Sequence, residues 1–144
     1  NNYQILLINL RLFKKYNDHY GHQEGDIVLQ TISKILMLNL KRPSDFSFRM
    51  GGEEFSAIFT MSEDKEIYEF SEYIRKSIED TKIKHKKNSV SQFITVSIGV
   101  VFVDFSKNHE MNILKKDLYK YSDELLYKAK ASGRNKVFIE EWIE

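Results

Sequence analysis

Three short stretches of the sequence combine residue types that can bind or activate a ligand. The first is Gly51-Gly52-Glu53-Glu54. Two glycines let the backbone approach a ligand closely, and two adjacent carboxylates offer hard oxygens to a cation. The same four residues also make an ordinary hairpin turn with solvated glutamates, and on residue types alone the two readings are balanced. The second stretch is Phe13-Lys14-Lys15-Tyr16-Asn17-Asp18, followed by Gly21-His22-Gln23-Glu24-Gly25-Asp26. A segment that leaves a strand and opens a helix presents backbone N–H groups to phosphate, and the side chains of Asn17 and Asp26 can read the edge of a base. Against this, Asn and Asp ahead of a helix are commonly caps, and a lone His22 is more often packed or exposed than a ligand. The third is Lys130 with Arg134 around Gly133. Cations four residues apart at a helix end can lean over one anion, though they also simply complement the helix dipole.

These residues need elements to hold them, and with only six Gly and one Pro the chain has little punctuation, so each breaker is informative. Gln4 to Leu10 is an apolar run that reads as a buried strand. Val28, Leu29, Ile32, Ile35 and Leu36 give a helical stripe within residues 25–40, and Pro43 follows its end. Residues 46–50 and 55–60 read as two strands of a hairpin turned by the glycine pair. Helical period returns over residues 62–83 through Ile67, Phe70, Ile74 and Ile78, with Ser62 as the N-cap. Residues 84–91 form a basic, polar loop. Alternation around Val96, Ile98 and Val100 marks a strand over residues 93–105. Residues 114–131 form a last helix with Leu118, Tyr121, Leu125 and Ala129 inward and Gly133 at C′, and residues 137–139 an edge strand.

The fold class is therefore α+β: a ferredoxin-like βαββαβ core with an antiparallel central sheet and an added C-terminal helix and strand. In that sheet the first strand runs antiparallel to the strand leaving the hairpin. Asn9 and Glu53 are expected to be neighbours.

The 144 residues are enough for one domain with its own core, at 42% hydrophobic and 30% charged residues. With no cysteine, disulfides, thiol nucleophiles and Cys-ligated metals are excluded. A balance of 22 basic against 21 acidic residues, net +1, argues against nucleic-acid binding by bulk charge. No apolar run approaches the roughly 20 residues of a membrane span, and the sequence shows no basic n-region or cleavage site. The chain opens on Asn1 rather than Met and reads as a fragment of a longer protein.

In combination the stretches resemble the GGDEF family, the diguanylate cyclase domains that join two GTP into cyclic di-GMP. Gly51-Gly52-Glu53-Glu54-Phe55 is the GGEEF variant of its signature. Residues 13–18 and 21–26 match FKxxND and GHxxGD, Thr95 to Gly99 matches TVSIG, and Leu126 to Asn135 matches LYxAKxxGRN. Four motifs in order, within residues 4–137, make a chance match very unusual. The resemblance implies a nucleotidyl cyclase-like fold whose opening segment would precede Asn1.

The resemblance also implies roles. Asn17 and Asp26 would hold guanine. The backbone around Phe13 and Lys14, with Lys130 and Arg134, would hold the triphosphate, and Gly51 and Gly52 would belong to the same GTP site. Glu53 would bind Mg²⁺ or Mn²⁺, with Glu54 beside the same catalytic site. The reaction implied is metal-assisted attack of a 3′-hydroxyl on the α-phosphate of a second GTP, releasing pyrophosphate, so two domains must face each other as a homodimer. Arg42 and Asp45 match the family's RxxD inhibitory site for cyclic di-GMP. An upstream sensor domain, a cytoplasmic location and a full-length protein compatible with membrane attachment are further expectations.

Two positions depart from the family pattern. Its first strand normally ends Asp-x-Asp, and here Asn9 and Arg11 stand at those places. Asn offers a neutral oxygen where Mg²⁺ favours a carboxylate, so metal binding should weaken. Arg11 can pair with phosphate but cannot activate a hydroxyl as a metal does. The expectation is retained GTP binding with weakened turnover; the alternative is a catalytically inactive receptor or regulatory module that binds GTP or cyclic di-GMP.

Overall fold

A computed structural model of the chain describes residues 2–10, 13–41, 45–51, 54–61, 63–87, 91–104 and 115–142. Arg11, Arg42, Pro43, Gly52, Glu53 and Ser62 lie outside them. The elements run β1 (Asn2–Leu10), α1 (Phe13–Tyr20), α2 (His22–Asn39), β2 (Phe46–Gly51), β3 (Glu54–Met61), α3 (Asp64–Glu79), β4 (Val96–Asp104), α4 (Lys115–Ala131) and β5 (Val137–Glu141). One sheet has the order β2-β3-β1-β4-β5. β1 lies between β3 and β4, antiparallel to both, and β2 pairs antiparallel with β3. This is the expected ferredoxin-like core. β5 adds parallel to β4, so α4 and β5 are the expected C-terminal extension.

The two faces of the sheet are covered separately. Phe55, Ala57 and Phe59 of β3 are buried in one cluster with Val28, Ile32 and Leu36 of α2 and Ile67, Ile74 and Ile78 of α3. On the other face Val101 and Val103 of β4 meet Leu118 and Leu125 of α4, with Ile58 of β3 against them. β4 is thus buried on both faces, which explains why it reads as a nearly continuous apolar run where the alternation at Val96, Ile98 and Val100 gave only one face. Gly99 lets α4 lie directly on the strand. A Cβ there would sit 2.4 Å from Leu126 N and 2.5 Å from Ser122 O, both backbone atoms of α4.

Three expectations need correction. Residues 13–20, expected as a connecting segment, form the helix α1. Tyr16 anchors it, stacking on Tyr20 one turn later at 4.6 Å and meeting the buried His85 edge-on at 5.3 Å. α2 begins at His22, three residues ahead of the expected Gly25. α3 spans residues 64–79 and not 62–83: Glu63 occupies its N-cap position without a side-chain cap, and the chain leaves the helix through Asp80, with Lys82 at φ 56°.

Candidate nucleotide site

The end of β1 and the facing ends of β2 and β3, at Gly51 and Glu54, share one edge of the sheet. Asn9 is in register with Glu54 on one side and with Ser97 on the other. The expected neighbour, Glu53, lies outside the described residues, and the pairing reaches the residue next to it in the chain. β2 carries a register shift between Arg49 and Gly51, so its strand is irregular just where it enters the turn. Such bulges bend a strand and re-aim the residues beyond them.

Glu54 is half-buried, and its Oε1 accepts a hydrogen bond from the Tyr119 hydroxyl at 2.6 Å. That bond is the main reason the Tyr119 phenol pKa is pushed up to about 12, with burial adding to it. Tyr119 was not among the residues singled out from the sequence. The available signal was a second stripe on α4: Tyr119, Ser122 and Leu126 recur three and four residues apart, and Ser122 and Leu126 are buried.

On the other side of the site α1 and α2 meet at Gly21. Gly21 N donates to Asn17 O at 2.8 Å, and Gly25 N donates to Gly21 O at 3.1 Å. Gly21 has φ 93°, a conformation that side chains disfavour, which lets α2 start one residue after α1 stops. Phe13 and Lys14 open α1 as its first two residues. Asn17 Oδ1 is buried and has no hydrogen-bond partner among the described residues. A buried acceptor left in that state costs about 1–3 kcal/mol, so this oxygen is suited to an incoming N–H donor. Asp26 is exposed in the second turn of α2 and lies on the wall of a groove of about 560 Å³ with Leu29, Met37 and Arg49. Asn17 is not on that wall. The two residues share the α1–α2 unit and not one cavity.

The cations sit where α4 ends. Arg134 N donates to Ala129 O at 2.9 Å, closing the helix, and Gly133 takes φ 119° as the C′ residue expected from the sequence. Arg134 and Asn135 follow at φ 63° and 48°, a run of left-handed backbone that costs about 1–3 kcal/mol per non-glycine residue. Lys136 O then accepts from Ile98 N at 2.9 Å, which ties the turn to the start of β4. β5 and β1 flank β4, so the two lie about 10 Å apart at this end of the sheet. Among the described residues neither Lys130 nor Arg134 is in an ion pair. The turn after α4 is thus bonded to β4, and α1 follows β1, at the end of the sheet where Asn9 pairs with Glu54.

A model of the family described as "Diguanylate cyclase, GGDEF domain" matches residues 1–136. The chain belongs to the GGDEF family. Among curated relatives, the probable diguanylate cyclase DgcT of Escherichia coli (strain K12) is 32% identical over 139 residues, 96% of this chain and 29% of that protein. The chain thus spans under a third of that relative's length. The solved GGDEF domain of DgcB from Caulobacter crescentus, in complex with c-di-GMP, matches with TM-score 0.79 and 26% identity over 96% of this chain and 77% of that one. The active GGEEF domain of a diguanylate cyclase from Vibrio cholerae matches with TM-score 0.77 and 28% identity over 96% and 83%.

In this GGDEF domain Asn9 and Glu53 carry oxygen donors of the type a hard divalent cation takes, with a neutral oxygen in one of the two places. Among the described residues no three His, Cys, Asp or Glu side chains gather into a metal cluster. Of the RxxD pair, Asp45 is half-buried one residue ahead of β2, and Arg42 lies outside the described residues. No described helix is long and apolar enough to cross a membrane.

Proposed function

We propose that this GGDEF domain binds GTP and serves cyclic di-GMP signalling as a diguanylate cyclase with weakened turnover. The observation that carries the reading is the buried, unpartnered Oδ1 of Asn17 on the helix that opens with Phe13 and Lys14. Guanine presents N–H donors on one edge, and the amide oxygen of Asn17 and the carboxylate of Asp26, both carried by the α1–α2 unit, would accept from them. The backbone at the start of α1 and at Gly51 and Gly52, together with Lys130 and Arg134, would take the triphosphate.

Glu53 and Asn9 would hold Mg²⁺ or Mn²⁺, which when bound supplies charge to polarise the α-phosphate and favour a 3′-alkoxide. Glu54 borders that site with one oxygen already engaged by Tyr119. The chain holds one GTP, so a second copy must present the other for the 3′-oxygen to bond to the α-phosphorus and pyrophosphate to leave. In a longer protein, a sensor domain ahead of Asn1 would control that encounter.

Asn9 favours a second reading, a non-catalytic module that binds GTP, or binds cyclic di-GMP through Arg42 and Asp45. Incubating the dimerised protein with GTP and Mg²⁺ or Mn²⁺ tests the first reading, with cyclic di-GMP and pyrophosphate as the expected products. Cyclic di-GMP binding in calorimetry that Arg42→Ala abolishes, with no turnover under any metal, would favour the second. Absence of GTP binding would contradict both GTP-based readings.

A further inference from the structure

Asn135 belongs to the Gly-Arg-Asn sequence after α4, yet the nucleotide reading gives it no task. Its side chain is engaged from both sides by α3. Arg75 Nη1 donates to Asn135 Oδ1 at 2.8 Å, and Asn135 Nδ2 donates to Glu79 Oε2 at 2.7 Å. Arg75 and Glu79 are themselves an ion pair at 3.7 Å, one turn apart on the helix, which closes the ring. The guanidinium is fixed from behind by Glu72, bonded to its Nε at 2.9 Å and also to Nη2. The Arg75 side chain is only 14% exposed and that of Glu79 20%, so the ring is largely shielded from water.

This ring holds a backbone that would not hold itself. Arg134 and Asn135 both sit at positive φ directly after Gly133. The asparagine is tolerated there and the arginine is not favoured. Such conformations persist where the surroundings over-determine them, and the surroundings here are the cap bond to Ala129, the Lys136 bond to β4, and the Asn135 ring.

We infer that Arg75, Glu79 and Asn135 are positioning residues that fix the backbone of Arg134, and so aim its guanidinium at the phosphates of the bound nucleotide. The inference rests on the phosphate role proposed for Arg134 and adds three residues that touch no substrate. α3 thereby takes part in nucleotide binding from the far side of the turn.

Calorimetry with GTP and GMP tests it. Asn135→Gly keeps the left-handed backbone accessible and removes only the ring, and Arg75→Ala removes it from the other side. Each should lower GTP affinity about three- to tenfold while GMP affinity stays unchanged, because misplacing a phosphate ligand leaves guanine recognition intact. Combining Asn135→Gly with Arg134→Ala should cost no more than Arg134→Ala alone. An Asn135→Gly protein that melts like wild type and keeps its GTP-to-GMP affinity ratio would overturn the inference, as would additive losses in the double variant. GTP affinity unchanged in Arg134→Ala would instead overturn the phosphate role of Arg134, and the positioning claim with it.

Discussion

The Tyr119 hydroxyl of α4 donates a 2.6 Å hydrogen bond to Glu54, the first residue of β3 after the signature turn. It links the helix that carries Lys130 and leads into Arg134 to the strand whose register partner is Asn9. The pKa of Tyr119, raised to about 12, makes the link testable. The folded state favours the protonated phenol, so its stabilisation is complete below the usual value of 10 and is lost as pH climbs from there to about 12. Urea unfolding followed by the fluorescence of Trp142 should show that alkaline loss in wild type. Tyr119→Phe should be less stable at neutral pH, by about 1–2 kcal/mol, and flatter through the window. Parallel profiles would remove the bond from the account.

Glu79 gives the acid counterpart. Its pKa is held below the ordinary carboxylate value, chiefly by the hydrogen bond from Asn135 and then by Arg75 and Lys76, against an opposing effect of burial. A depressed pKa contributes stability above the unfolded value of about 4.5, lost as pH falls through the folded one. Glu79→Gln should therefore flatten the fall in stability on acidification. An unchanged acid limb would show that the carboxylate is not paired in the folded state.

Gly99→Ala should destabilise the domain by about 1–3 kcal/mol, because the added methyl meets α4 backbone that cannot rotate away. The α4 end moves with the helix, so GTP affinity should fall alongside stability. Retention of both would mean that α4 does not lie on β4 as closely as 2.4 Å implies.

Asn17→Ala separates binding from folding. Removing a buried acceptor that has no protein partner among the described residues should leave stability at or above that of wild type. GTP affinity should drop about tenfold, the worth of one good hydrogen bond, and preference over ATP should narrow. A large stability loss with binding intact would assign Asn17 to the fold instead.

Much of this was readable from residue order. The helical spacing of Val28, Ile32 and Leu36 and of Ile67, Ile74 and Ile78 marks faces that the structure buries together. Once the hairpin was recognised, the antiparallel β1–β3 pairing followed, and with it the approach of Asn9 to the turn. The helix α1 was harder, because eight residues with one buried anchor, Tyr16, carry little periodicity and the stacking on His85 joins residues far apart in sequence. Least legible were the side-chain contacts. Tyr119 is 65 residues from Glu54 and Arg75 is 60 from Asn135, and no local pattern announces a partner at that distance.

The most direct test of the central claim is the rate of cyclic di-GMP formation from GTP with Mg²⁺ and with Mn²⁺, measured on dimerised wild type beside Asn9→Asp. Both proteins should bind GTP, wild type should turn over slowly, and restoring a carboxylate opposite Glu54 should raise the rate at least about tenfold and lower the metal concentration required. An Asn9→Asp protein that binds GTP and yields neither cyclic di-GMP nor pyrophosphate would contradict the account.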